Sequence, residues 1–168
     1  VKKVVVKNSK LYVNREDGFI GTSLRREEYV EDCSDIDDII VFTSNGDMIV
    51  TKVDSKKFVA KNILYVSVFK KRDSRTIYNM IYKDGKSGVS YIKRFNVTGV
   101  TRDKTYNLTS QNPKTKILHF SANPNGEAEI VTIQLRQSGS IKKLKWDLDF
   151  ADLAIKGRSV KGNIVSKY

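Results

Sequence analysis

Three cations fall within seven residues in the stretch "KGRSVKG" at 156–162, namely Lys156, Arg158 and Lys161, with glycines at 157 and 162. This spacing suits contact with phosphates, because each cation can displace a condensed counterion from a polyanion. It would equally serve a basic turn between two strands. Other cation groups stand along the chain: Arg25 and Arg26; Lys56 and Lys57; Lys70, Lys71 and Arg72 with Arg75; Lys93 and Arg94; and Lys142, Lys143 and Lys145. Duplex binding through phosphates needs cations spaced along a surface, whereas single-strand binding adds aromatic platforms between them. The tyrosines and phenylalanines here fall mostly inside strand-like runs and read as core. Phosphate contact with a duplex, with little base reading, is the expected chemistry.

Catalytic and metal chemistry is not expected. The chain has one histidine, His119, within a strand-like run, and one cysteine, Cys33, among acidic residues that would raise its thiol pKa. Neither a Cys-His nucleophile nor a zinc site can be assembled from these. Asp147 and Asp149 stand two apart on one strand face, where they could hold a divalent ion; the plainer reading is two solvated carboxylates balancing Lys143 and Lys145 across the pleat. No Walker-type phosphate-binding loop and no dinucleotide fingerprint occurs. The chain reads as a binding module.

Charge points the same way. Across 168 residues, 31 Lys and Arg against 19 Asp and Glu leave a formal charge of +12, an excess that implies a polyanionic partner. The distribution is uneven, because "EEYVEDCSDIDD" at 27–38 carries seven acids and no base. A phosphate backbone should avoid that island. A chain of this length suits one domain and buries roughly 70% of its unfolded surface without needing disulfides or metal. The lone cysteine fits a reducing cytoplasm. Apolar runs such as "NILYVSVF" at 62–69 are too short to cross a bilayer, and the first ten residues lack the apolar centre of a signal peptide.

The elements that must position these cations are strands. Alternating or β-branched and aromatic runs occur at 10–14, 38–44, 47–53, 62–69, 76–82, 89–97, 116–122, 129–135 and 140–150. In the last, Leu144, Trp146, Leu148 and Phe150 share one face, and Lys143, Lys145, Asp147 and Asp149 the other. Turn markers separate the runs: "EDGF", "SNGD", "KDGKSG", "NPNGE" and "QSGS". Nine strands and a single helical turn within 149–155 make an all-β domain. A loose repeat is also visible. Gly18, Gly88 and Gly139 are each followed within nine residues by adjacent bases, Arg25 and Arg26, Lys93 and Arg94, and Lys142 and Lys143. Repetition of a four-strand unit is the mark of a propeller-type fold, here an incomplete wheel of about three blades, roughly 1–60, 61–115 and 116–168.

Two long phrases, "DGFIGTSLRREEYVEDCSDIDDIIVFTSNGDMIVTKV" at 17–53 and "GSIKKLKWDLDFADLAIKGRSVKGNIVSKY" at 139–168, resemble the C-terminal domain of the A subunit of bacterial type IIA topoisomerases, DNA gyrase and topoisomerase IV. The resemblance covers nearly the whole chain. It implies a β-pinwheel, a propeller-like wheel whose blades exchange strands and whose basic rim bends duplex DNA. It also implies that the reacting tyrosine lies in a preceding breakage-reunion domain and that ATP and magnesium belong to other parts of the holoenzyme, so no cofactor is expected here. The implied partners are double-stranded DNA, the ATPase B subunit, plus the remainder of the A subunit, with no membrane and no small-molecule substrate, at the nucleoid in the cytoplasm. Gyrase carries a Gln-Arg-Arg-Gly-Gly-Lys-Gly box that grips wrapped DNA. Against it, "KGRSVKG" keeps Arg158, Lys161 and Gly162, replaces the glutamine by Lys156, and has Ser159 and Val160 in place of the glycine pair. That degenerate box resembles topoisomerase IV more than gyrase. Two other readings stay open: a protein-interaction propeller docking a basic partner at 27–38, and an RNA-binding β domain preferring single strands.

Overall fold

A computed structural model of the chain describes residues 6–135, 139 and 144–167. Among them, fifteen strands form where nine are expected from the runs above, and the reason is visible in their order. The chain opens with β1 (Ser9–Asn14), β2 (Phe19–Gly21) and β3 (Glu28–Cys33), then β4 (Asp38–Thr43), β5 (Asp47–Lys52), β6 (Lys57–Phe58) and β7 (Ile63–Phe69). Next come β8 (Ile77–Lys83), β9 (Ser90–Asn96), β10 (Thr105–Asn107) and β11 (Lys116–Asn123). Last are β12 (Ile130–Gln134), β13 (Lys145–Asp149), a 3-10 turn (Phe150–Asp152), β14 (Lys156–Gly157) and β15 (Asn163–Ser166).

Four hairpins, β1–β2, β4–β5, β8–β9 and β12–β13, carry the repeat. Their turns hold Gly18, Gly46, Gly88 and Gly139, all at positive φ, a conformation glycine adopts without steric penalty. Gly46 is the member of the series that the adjacent-base pattern misses, because its basic pair, Lys56 and Lys57, begins ten residues on and so falls just outside the nine-residue window. After the second and later hairpins the chain leaves its own sheet and pairs along the second strand of the preceding hairpin: β6 on β2, β10 on β5, and both β14 and β15 on β9. In the second and third repeats it then returns to flank its own first strand, as β7 on β4 and β11 on β8. The sheet orders are therefore β3-β1-β2-β6, β7-β4-β5-β10, and β11-β8-β9 with β14 and β15 sharing the far edge of β9, plus the two-stranded β12–β13. The fold is all-β, propeller-like and strand-exchanged.

The chain divides into two compact units, one taking residues up to Arg72 with Gly99–Leu108, the other Asp73–Thr98 and the residues from Thr109 onward. In the first, alternation along β1 turns Leu11 and Val13 inward, where Ile20, Cys33, Ile39, Val41, Ile63 and Val66 meet them. β4 is buried at all six positions because β5 and β7 flank it on its own sheet and both its faces are covered. In the second unit, Ile81, Ile92 and Phe150 gather Val131, Ile133, Leu148, Leu153 and Val165. Each fully buried aliphatic or aromatic side chain of these clusters contributes about 1.5–3 kcal/mol. The 3-10 turn drives Phe150 into that cluster, and the Asp149 carboxylate starts it by accepting the Ala151 N–H at 2.9 Å.

The exchanged strand sits close. Val59 N–H donates to Gly18 O at 2.8 Å, just after β6, and Leu108 N–H donates to Gly46 O at 2.8 Å, just after β10, so the hairpin-turn carbonyl receives the crossing chain in both sheets. A Cβ on Gly18 would stand 2.2 Å from Ala60 O, at a φ of +85°. Replacing Gly18 with alanine is therefore expected to destabilise the protein by more than about 1 kcal/mol, since neither the backbone conformation nor the close approach tolerates a side chain. Urea unfolding of Gly18→Ala against wild type measures this; an unchanged midpoint would contradict the seat assigned to the crossing strand.

Candidate nucleic-acid interface

The stretch 154–162 is both a turn and a presented surface. β14 runs parallel to β9 beside Phe95 and Asn96, and β15 returns antiparallel beside Ile92, Tyr91 and Ser90. The residues between them form a strap across the same edge. Three of its carbonyls are held from the protein side. Lys93, only 4% exposed on β9, donates its ammonium to Arg158 O at 2.8 Å and to Val160 O at 3.0 Å. The Tyr82 hydroxyl, from β8, donates to Lys161 O at 2.5 Å. Gly162 closes the strap at φ +102°, where a Cβ would meet Ile92 O at 2.6 Å. With its backbone so held, the strap leaves Lys156 and Lys161 exposed and Arg158 half-buried. The Lys161 ammonium lies 4.8 Å from the Tyr91 ring centroid, a placement that steadies a cation without burying it.

Lys93 is thus a different kind of residue from the solvated cation its neighbours in sequence suggest. Its Nζ is 4.8 Å from the Phe95 ring centroid and its charge is largely withdrawn from water. Desolvation, with a smaller push from the Arg158 guanidinium, lowers its pKa to about 7. Arg94 is also turned to structural use, donating from Nη2 to Gly126 O at 2.7 Å. Lys145 is exposed on β13, while Lys142 and Lys143 lie outside the described residues. In the first unit Arg25 and Arg26 are exposed in the turn between β2 and β3, and Lys70, Lys71 and Arg72 are exposed directly after β7. Lys56 is exposed with its ammonium 4.8 Å from the Phe19 ring centroid, whereas Lys57 is tied to Asp103 at 2.9 Å.

The acidic island is largely engaged within its own unit. Glu28 pairs with Arg15 at 2.9 Å, Asp38 with Arg102 at 3.1 Å, and Glu31 accepts from Val68 N–H at 2.7 Å and Ser67 Oγ at 2.8 Å. Asp32 accepts from the Tyr29 hydroxyl and Asp37 from Ser34 N–H. Cys33 is buried, and desolvation followed by Asp37, Glu31 and Asp32 raises its thiol pKa. His119 Nε2 meets Glu129 Oε1 at 2.8 Å beside Phe150. Asp147 accepts from Thr132 Oγ1 at 2.7 Å, and among the described residues no group of three His, Cys, Asp or Glu is placed to hold a metal ion. No helix among the described residues is long and apolar enough to cross a membrane.

The burial of Lys93 is not evident from the sequence, because Lys93 looks like one half of a surface pair with Arg94. One signal was available: Lys93 follows Tyr91 and precedes Phe95 at period two, on the face of a strand whose alternate residues are aromatic.

A strand-exchanged, propeller-like β domain belongs to the class of β-pinwheels. The family model described as "Topoisomerase C-terminal domain, Bacteroidota" matches residues 10–168. The A subunit of DNA topoisomerase 4 from Borreliella burgdorferi is 32% identical over 125 residues, 74% of this chain and 20% of that protein. The chain spans about a fifth of the length of this curated relative. No solved structure matches it. The chain belongs to the topoisomerase C-terminal domain family, the C-terminal region of type IIA topoisomerase A subunits.

A buried lysine whose folded pKa lies below its unfolded one makes stability depend on pH. Between about 7 and 10.5 the unfolded chain binds the proton that the folded chain has released, so stability gains from this group as pH rises across that window, at up to about 1.4 kcal/mol per unit. Below it, both states are protonated and the burial penalty is complete. Unfolding midpoints measured from pH 6 to 10 should rise more steeply for wild type than for Lys93→Met; parallel curves would contradict the assignment.

Proposed function

We propose that this domain binds duplex DNA through its phosphate backbone and bends it, presenting the duplex to the strand-passage core of a type IIA topoisomerase of the topoisomerase IV kind. The observation that carries the reading is the strap: cations at 156, 158 and 161 on a backbone held by Lys93, Tyr82 and Gly162. A held backbone reduces the ordering entropy lost when the side chains meet phosphates. The formal charge of +12 and the exposed Arg25, Arg26, Lys70, Lys71, Arg72 and Lys145 supply further phosphate contacts. Family membership and the likeness to a DNA topoisomerase 4 support the same reading. So does the engagement of the acidic island within its own unit, which leaves less of it for docking a basic protein partner.

In this reading the domain does no covalent chemistry. Strand cleavage falls to the remainder of the A subunit, ATP hydrolysis with magnesium falls to the B subunit, and the site of action is chromosomal DNA in the cytoplasm. Smoothly bending a site of 20–30 base pairs by 40–90° costs about 1–6 kcal/mol, which a handful of phosphate contacts offsets. Val160 and Ser159 in place of a glycine pair leave the strap a fixed shape, which fits a topoisomerase IV more than an enzyme that must wrap DNA tightly.

If about six phosphates are neutralised, log K falls against log salt with a slope near −5. Replacing Lys156, Arg158 and Lys161 together with alanine should flatten that slope by about 2.7, at 0.9 per phosphate contact, and weaken binding equally for all duplex sequences. Fluorescence anisotropy of labelled duplexes across a salt series measures both. A wild-type slope near zero, or a loss confined to certain sequences, would contradict phosphate recognition.

A further inference from the structure

The strap's cations act at fixed positions only if something fixes its backbone, and the edge of β9 offers little for that purpose. β14 pairs with β9 over two residues and β15 begins at Asn163. Between them the strap's own backbone supplies the Val160 N–H to Gly157 O bond, a long one at 3.3 Å. The carbonyls of 158, 160 and 161 are taken instead by two side chains from beneath, Lys93 and Tyr82. Both are buried, at 4% and 0% exposure. Tyr82 is further fixed by stacking on Tyr91 with ring centroids 5.3 Å apart, and Tyr91 is the ring over which the Lys161 ammonium lies. One connected set of side chains thus holds the strap's carbonyls inward and one of its cations outward.

We propose that Lys93 and Tyr82 form a buried clasp that positions the strap for phosphate contact, so that Lys93 serves DNA binding through the strap and without touching DNA. This rests on the reading of the strap as a phosphate-contact surface. A buried donor pair is placed to do this because hydrogen bonds shielded from water hold geometry that solvent-exposed ones do not. Gly157, by contrast, has room for a side chain, since a Cβ there meets nothing within 4 Å.

Two measurements on the intact protein test the clasp. The first does not involve DNA. Limited trypsin digestion read by mass spectrometry reports cutting after Lys156, Arg158 and Lys161. Lys93→Met should speed cutting there by at least about tenfold, the effect of losing two buried hydrogen bonds in a locally opening segment. Tyr82→Phe, which keeps the stacked ring and removes one bond, should speed it severalfold and decides the matter if Lys93→Met does not fold. Wild-type cutting rates in the folded variants would overturn the clasp. The second is a double-mutant cycle in duplex affinity. Lys93→Met should weaken binding about three- to tenfold and flatten the salt slope by about 1 to 2.7, yet add nothing when Lys156, Arg158 and Lys161 are already alanine. An equal loss in both backgrounds would mean that Lys93 acts elsewhere, and the proposal would fall. Absence of duplex binding by the wild type would instead defeat the functional reading, leaving the digestion result to judge the clasp alone.

Discussion

A strand edge carries unpaired N–H and C=O groups that must find partners, and in this chain the second strand of a hairpin finds them in the next repeat. β2 receives β6, β5 receives β10, and β9 receives β14 and β15. None of these three sheets is completed by the residues that begin it, so the repeats interlock. The close approach this demands explains why the hairpin-turn glycine accepts from the crossing chain in two sheets, at Gly18 and Gly46. It also explains why the strap exists: it is the third crossing segment, and its course along β9 is imposed by the same requirement.

The crossing segments also gather cations. Lys56 and Lys61 stand exposed beside β6, Lys104 before β10, and Lys156 and Lys161 around the strap. Three of these ammonium groups lie over aromatic rings, Lys56 over Phe19, Lys104 over Tyr106 and Lys161 over Tyr91. Such pairs are worth about 0.5–1 kcal/mol where exposed and leave the charge in solvent. Other cations face inward or sideways. Lys57 and Arg102 secure Asp103 and Asp38, Arg94 holds Gly126 O, and Lys93 holds the strap. A count of positive charge therefore overstates the surface available to a polyanion, and the distinction is made by strand register.

Register also decides what the sequence reveals. β4 and β8 are rich in β-branched and aromatic residues, and each pairs with the strand that follows it, so their existence can be read locally. β6, β10 and β14 are two or three residues long and owe their extended form to a neighbour in a different repeat, which no local pattern encodes. β3 is hidden differently: "EYVEDC" is rich in acids, and its carboxylates are engaged by Arg15, Ser67 and Val68 N–H, contacts visible only after folding. At the candidate site, Lys156, Arg158 and Lys161 are legible as a basic turn because their spacing is local. Lys93 is not, because its role depends on a strap 65 residues away from it in sequence.

The proposed bending of duplex DNA can be observed directly. Energy transfer between fluorophores on the two ends of a 30-base-pair duplex, measured with and without the protein at physiological salt, reports the end-to-end distance. Bending through phosphate contacts gives higher transfer on binding, to a similar degree for unrelated sequences. Binding that leaves transfer unchanged, or no binding to plain duplex DNA, would contradict it.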